Sequence, residues 1–248
     1  MFLIKRNNML LRLFIILITY SMTFIAHADG VSLNQSRIIY SQKDKSQVMQ
    51  VHNDTASPIL VQTSILDDVD GKIVDNFILT PPLFRVDARS EFAARVLPNN
   101  IANLPKDRES IFYLKARAIP AIKKEEEKDK PSLVFVTAFV IKLIYRPEII
   151  SEPNLNDYKK INLVKKNNKW QFENTTPYYM TLVGLTIDGE MNQESLLLKP
   201  FSHYEIGKNI NNPSTVSWYF LNDFGTTTEK QVIKKETEIV KDSKIKDK

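Results

Sequence analysis

One stretch limits what this chain can become: Leu133-Val134-Phe135-Val136-Thr137-Ala138-Phe139-Val140-Ile141-Lys142-Leu143-Ile144-Tyr145, closed by Arg146-Pro147. β-Branched and aromatic side chains dominate it and favour an extended backbone. At about 3.3 Å per residue the stretch spans roughly 40 Å, against an ordinary strand of about 5–6 residues. Both faces are apolar, with Leu133, Phe135, Thr137, Phe139 and Ile141 on one and Val134, Val136, Ala138 and Val140 on the other. A strand with one wet face alternates with polar residues, so this one is either central between two packed layers or covered by a partner. At a sheet edge it would be a template for a strand from another chain. Lys142 interrupts the run, either as an edge gatekeeper or as a cation for an acidic ligand group. Arg37, in the first strand, is an ordinary residue taken singly; only proximity to Lys142 would make the two a carboxylate site.

The rest of the sequence reads as more strands. Runs at Val31 to Tyr40, Val48 to Asn53, Ile59 to Leu66, Ile73 to Leu79, Phe92 to Leu97 and Ile111 to Arg117 precede the long stretch. None holds an amphipathic helical period for three turns, which argues for an antiparallel sandwich. Asp70-Gly71 and Asp188-Gly189 carry two-residue hairpin chemistry, and Pro81-Pro82 ends the run before it because proline cannot donate to a ladder. Lys123 to Lys130 is a mixed-charge segment that cannot bury itself and reads as a mobile loop. After Arg146-Pro147-Glu148 the pattern restarts at Ile161, with runs at Trp170 to Glu173, Met180 to Ile187, Ser195 to Leu198, His203 to Ile206 and Val216 to Leu221. The expected division is 1–28 leader, 29–147 first domain with the long strand at 133–145, 148–233 second β domain, and 234–248 charged tail.

Lys5, Arg6 and Arg12, the apolar run Leu13 to Ile18 and Ala26-His27-Ala28 have the order of a cleaved secretory leader. Its apolar core is short for a retained anchor, so no membrane insertion is expected after cleavage. Removing it lowers the formal charge from +5 by three to +2, so the high isoelectric point is no argument for a nucleic-acid partner. There is no cysteine, hence no disulfide and no thiol nucleophile, and stability must come from packed cores.

Catalytic chemistry is hard to assemble. Past the leader the imidazoles are His52 and His203, neither with a His or Cys at metal-ligand spacing. Asp67-Asp68-Val69-Asp70-Gly71 resembles the start of a calcium loop, but Leu79 stands where the closing glutamate belongs, which favours a turn. Six glycines in the whole chain leave no phosphate-cradling loop. The expectation is therefore a non-enzyme with no metal and no cofactor.

Several motifs, in order, carry a resemblance. These are Val31-Ser32-Leu33-Asn34-Gln35-Ser36-Arg37; Thr80-Pro81-Pro82; Leu104 to Tyr113, continuing to Ile119-Pro120; Ile141 to Pro147; and Glu173-Asn174-Thr175-Thr176-Pro177-Tyr178-Tyr179. Together they resemble the periplasmic pilus-assembly chaperones of the chaperone–usher pathway, the PapD-like family, over about Val31 to Gly225. The resemblance implies an all-β protein of two immunoglobulin-like sandwiches in a boomerang. It implies a periplasmic chaperone that lends a strand to pilin-type subunits and passes them to an outer-membrane usher, and it allows a self-capping homodimer. By position Arg37 and Lys142 would bind the subunit's terminal carboxylate, Leu133, Phe135, Thr137 and Ile141 would fill its groove, and Glu109, Arg146 and Asp223 would form an interdomain ion network. The chain departs from the pattern at Lys115 and Ala116, where a small polar and an aliphatic residue are usual. Thr137 stands for a larger hydrophobe, and the loop from Ile119 to Leu133 is long without a cysteine pair. The alternative from strand grammar alone is an immunoglobulin-like structural or adhesin subunit of a surface organelle; a β-sandwich hydrolase would need an acid/base constellation.

Overall fold

The structure, a computed structural model, describes residues 30–121, 134–167, 169–207 and 213–234. The expectations for the leader, for the charged loop at 123–130, for Leu133 and for the tail after Lys234 lie outside these residues.

The first domain comprises β1 (Val31–Leu33), β2 (Arg37–Ser41), β3 (Gln47–Asn53), β4 (Ile59–Leu66), β5 (Phe77–Thr80), β6 (Leu83–Val86), β7 (Ser90–Pro98), β8 (Ser110–Pro120) and β9 (Thr137–Arg146). They form two facing sheets, ordered β1-β3-β7-β5 and β2-β9-β8-β4-β6. Residues alternate in and out along β4, where Ile59, Val61, Thr63 and Ile65 are buried and Leu60 and Gln62 exposed, the period-2 pattern of a strand with one wet face. Tyr40, Phe77 and Phe112 anchor the core, with ring centroids 5.0 and 5.5 Å apart.

Three expectations need correction here. The run from Val31 to Tyr40 is two strands: β1 pairs with β3 in one sheet and β2 with β9 in the other. The chain changes sheets at Asn34, whose backbone N–H donates to Gln50 O and whose side-chain oxygen accepts from Gln50 N–H, so the sequence pattern continues while the ladder changes. Asp70-Gly71 closes a wider turn than two residues, because Asp67 N–H donates to Lys72 O and Gly71 N–H to Asp68 O. Asp67 Oδ1 also accepts from Lys72 N–H, which ties the loop across its base. The long strand begins at Thr137, and Val134 to Val136 precede it as non-strand chain. Its neighbour β8 pairs as far as Ala118↔Thr137 and ends at Pro120, which has no N–H to extend the ladder.

The second domain comprises α1 (Leu155–Lys159), β10 (Ile161–Lys166), β11 (Lys169–Asn174), β12 (Met180–Ile187), β13 (Glu190–Met191), β14 (Leu196–Leu198), β15 (Ser202–Glu205), β16 (Thr215–Leu221) and β17 (Gln231–Lys234). One sheet runs β10-β11-β15; the other runs β13-β12-β16-β17, with β14 also on β12. Helix α1 is too short to register as a period; a capping box at Asn154 and Asp157 holds it. Asp188 and Gly189, both at positive φ, join Ile187 to Glu190 as the two-residue hairpin the sequence signals. The core centres on Phe172, Trp218 and Phe220.

Each sandwich repeats one corner. Asn53 at the end of β3 donates to the carbonyls of Ser57, Val86 and Asp87 and accepts from Thr55 N–H and hydroxyl. Asn174 at the end of β11 donates to Tyr178 and Lys199 carbonyls and accepts from the same two groups of Thr176. A buried amide satisfied at both ends fixes the loop that follows it. In the second domain that loop reaches the first.

Candidate functional site

The domains meet where β9 ends. Arg146, its last residue, is closed off by Pro147, and its guanidinium is 5% exposed. Nε and Nη2 lie 2.8 and 2.7 Å from Glu109 Oε1, while Nη1 and Nη2 donate to the two oxygens of Asp223 at 2.8 and 3.1 Å. Glu109 Oε2 accepts from Tyr179 N–H at 2.8 Å, and Glu109 N–H donates to Pro177 O at 2.9 Å. The Asn174 corner thus delivers both backbone groups that Glu109 uses. Asp223 sits in the loop after β16, where Asn222 Oδ1 accepts from Phe224 and Thr226 N–H and Gly225 takes φ +78°. Burial pushes the Glu109 carboxyl up against the opposing pull of Arg146. Desolvation of Arg146 is outweighed by its hydrogen bonds and by its two carboxylate partners, so its pKa rises. Burial, with Asp223 nearby, pushes the Tyr158 phenol up to about 12.

Arg37 and Lys142 are cross-strand neighbours in the parallel β2–β9 pair. Their side chains leave the sheet on the face turned to the second domain, where Lys142 Nζ lies 3.2 Å from the Thr181 hydroxyl of β12. Arg37 Nε is buried with no partner. Burial lowers the Lys142 pKa, with Arg37 beside it adding to the effect; burial also lowers that of Arg37, opposed by Asp223. Like charges at cross-strand positions repel. Arg146 is ion-paired with Glu109 and Asp223, whereas Arg37 and Lys142 have no ion pair among the described residues.

Strand β9 is paired unevenly. β8 covers one edge from Thr137 to Tyr145, but β2 covers the other only from Lys142 to Arg146. Thr137 to Ile141 therefore have an unpaired edge among the described residues. Phe135 is 78% exposed, and Val134, Val136, Thr137, Ala138 and Val140 are exposed as well. Ile141, expected from the resemblance to fill a guest's groove, is not available for that in this structure. It is buried in the first domain's core with Leu143 and Tyr145, because it shares their face and the opposite sheet already covers that face at its level. Phe139 is half-buried against the same core, and Thr137, the first residue of the strand, is exposed on the same face beyond it. Leu133 lies outside the described residues.

Known proteins share this architecture. Residues 30–151 match the model for the pili and flagellar-assembly chaperone PapD N-terminal domain, and 156–232 that for the pili assembly chaperone PapD C-terminal domain. The chain belongs to the PapD-like pilus-assembly chaperone family. The chaperone is 32% identical over 216 residues to the probable fimbrial chaperone protein ElfD of Escherichia coli O157:H7, covering 86% of this chain and 90% of that one. It is 32% identical over 202 residues to chaperone protein FimC of E. coli K12, covering 81% and 83%. Among solved structures, the E. coli chaperone DraB superposes with a TM-score of 0.71 at 27% identity, covering 84% of this chain and 97% of that chain. The Salmonella enterica SafB chaperone, solved in complex with the SafA pilin, gives 0.71 at 25%, covering 84% and 98%. The family is one of chaperones, a non-enzymatic class, and no helix among the described residues is long and apolar enough to cross a membrane.

Sequence reasoning passed over Thr181 and the loop that presents Asp223. Nothing in Met180-Thr181-Leu182 separates the threonine from any other buried strand residue. The loop carried a usable signal, since Asn222 and Gly225 are turn residues, and Asp223 between them is presented outward.

Proposed function

We propose that this is a periplasmic chaperone that lends β9 to a pilin-type subunit lacking a strand, holds the subunit's terminal carboxylate between Arg37 and Lys142, and passes it to an outer-membrane usher. The observation that carries the reading is the half-covered β9, whose unpaired stretch runs directly into two adjacent cations, one with an orphaned donor. A guest strand on that edge in line with β2 can run parallel or antiparallel to β9. Parallel, it ends on Lys142 and Arg37 with a carboxylate; antiparallel, it brings an ammonium to two cations. Charge therefore selects the parallel direction, and the fixed pair sets the register. Phe135 and Thr137, both exposed beyond the domain's own cover, would close the guest's open core, and Leu133 is expected to join them by the family resemblance. Glu109, Arg146 and Asp223 would hold the second domain at the carboxylate site.

The test is co-expression with a pilin-type subunit. Lys142→Ala and Arg37→Ala should each abolish recovery of the subunit with the chaperone while leaving its circular dichroism unchanged. Unchanged recovery in both variants would refute the mechanism.

A further inference from the structure

The face of the five-stranded sheet that carries Lys142 can be read row by row from the strand registers. Arg37 and Lys142 stand beside Tyr113; Val140 stands beside Lys115 and Ser64; Ala138 stands beside Arg117, Gln62 and Leu83. Arg85 lies further along on β6. The strand positions of this face thus hold Arg37, Lys142, Arg146, Lys115, Arg117 and Arg85 and no acid, and Arg146 is already paired with Glu109 and Asp223. Arg85 is paired with Asp87. The side chains of Lys115 and Arg117 have no ion pair or hydrogen bond among the described residues. The nearest acids by register are in the Asp67 to Asp70 loop beyond β4, and Asp70 borders with Lys115 and Arg117 a hollow of about 810 Å³. The chain past the leader carries only +2, so this face does not merely reflect a basic protein.

The second domain covers one end of the face, where Lys142 meets Thr181. The end with the half-buried Lys115 and the exposed Arg117 is left uncovered by the second domain's described residues and adjoins the unpaired edge of β9. Between the two cations and that edge stand only Val140 and Ala138. Adjacent strands are about 4.8 Å apart, so a guest strand on the edge lies about 10 Å from β8. Lysine and arginine stems can cross that gap over an alanine and a valine, with their charges in solvent. We propose that Lys115 and Arg117 form a second, side-chain-reading part of the guest site, which favours subunits whose terminal strand carries acidic residues level with Val140 and Ala138. This rests on the carboxylate reading above. With the terminus held at Lys142, those positions are the guest's final and antepenultimate residues.

The experiment uses three soluble peptides of about twelve residues with alternating valine and a free terminal carboxylate, carrying Glu, Gln or Lys at the antepenultimate position. Their affinities for the full chain are measured by calorimetry at low and high salt. The Glu peptide should bind the wild type more tightly than the Lys peptide, roughly fivefold or more at low salt, as an exposed pair of ion contacts allows. The difference should shrink in 0.5 M salt and vanish in Lys115→Gln/Arg117→Gln. Equal binding of the Glu and Lys peptides to the wild type overturns the proposal, as does a preference that survives in the double variant. C-terminal amidation and Lys142→Ala test the carboxylate reading separately: amidated peptides that bind as well as free acids refute that reading, whatever the charge preference.

Discussion

Replacing Arg146 with alanine should uncouple the two domains. Its guanidinium is 5% exposed and the Glu109 side chain 1%, so truncation strands a carboxylate where water cannot reach it. Removing one partner of such a buried pair costs about 3–5 kcal/mol. Asp223 is 28% exposed and rehydrates, so losing it from the Arg146 side costs only about 1 kcal/mol more. Arg146→Ala should therefore lose about 4–6 kcal/mol and Asp223→Ala clearly less. Glu109→Ala/Arg146→Ala should be less unstable than the summed single variants by about 3 kcal/mol, because the stranded charge is gone. The assay exploits the placement of Trp170 and Trp218, both in the second domain. Tryptophan fluorescence reports that domain alone, while far-ultraviolet circular dichroism reports both. In urea the two signals should coincide for the wild type and separate for Arg146→Ala. Coincident transitions in the variant, or an Asp223→Ala loss equal to that of Arg146→Ala, would refute the burial argument.

Three further outcomes follow from the cleft and the open edge. Burial and Arg37 lower the Lys142 pKa below its ordinary 10.5, so the charged form costs guest-free stability at all pH below that lowered value, and the cost is relieved as pH rises from there towards 10.5. Affinity for a free-carboxylate peptide should move the opposite way and fall across the same window; affinity that is flat from pH 7 to 10.5 would contradict the role of Lys142. Lys142→Met should raise guest-free stability by about 1 kcal/mol by removing a like-charge neighbour, while abolishing carboxylate binding; thermal unfolding and calorimetry check both, and a destabilised variant counts against the repulsion. Phe135→Ser should leave stability within about 0.5 kcal/mol, since the side chain is 78% exposed, yet reduce subunit recovery sharply; a large stability loss would show that Phe135 packs within the chaperone itself.

The fold was largely legible because each strand has its own apolar alternation or run, and because Pro81-Pro82, Asp188-Gly189 and Arg146-Pro147 punctuate the runs. The two failures within the strands have a common physical origin. Periodicity records which side chains want burial, not which backbone supplies the ladder. The break between β1 and β2 changes ladders without changing hydrophobicity, and the Val134 to Val136 stretch is strand-like in composition but has no partner beyond Pro120. Ile141 shows the same limit within the site. Its face was read correctly, but the point along that face where the domain's own cover ends depends on the opposite sheet, which the pattern does not encode. Arg37 and Lys142 are more than a hundred residues apart, and only the parallel register makes them neighbours.

That parallel register also bears on why the second domain would be needed at the proposed carboxylate site. Arg37 and Lys142 both belong to the first domain's sheet, and held there alone they would be two repelling cations on a strand pair. The second domain supplies the Thr181 hydroxyl to Lys142 and brings Asp223 close enough to Arg37 to oppose its desolvation. Asp223 itself is committed to Arg146, so its charge is shared and does not neutralise Arg37 outright. Among the described residues Arg37 and Lys142 are thus left without an ion-paired carboxylate of their own. On the proposed reading, that shortage supplies the affinity. A guest carboxylate completes the accounting, and because Thr181 and Asp223 stand on one domain and Lys142 and Arg37 on the other, completing it ties the two domains more tightly. Guest binding should then raise the urea midpoint of both domains together, and the coupling should be lost in Arg146→Ala even where some carboxylate affinity survives.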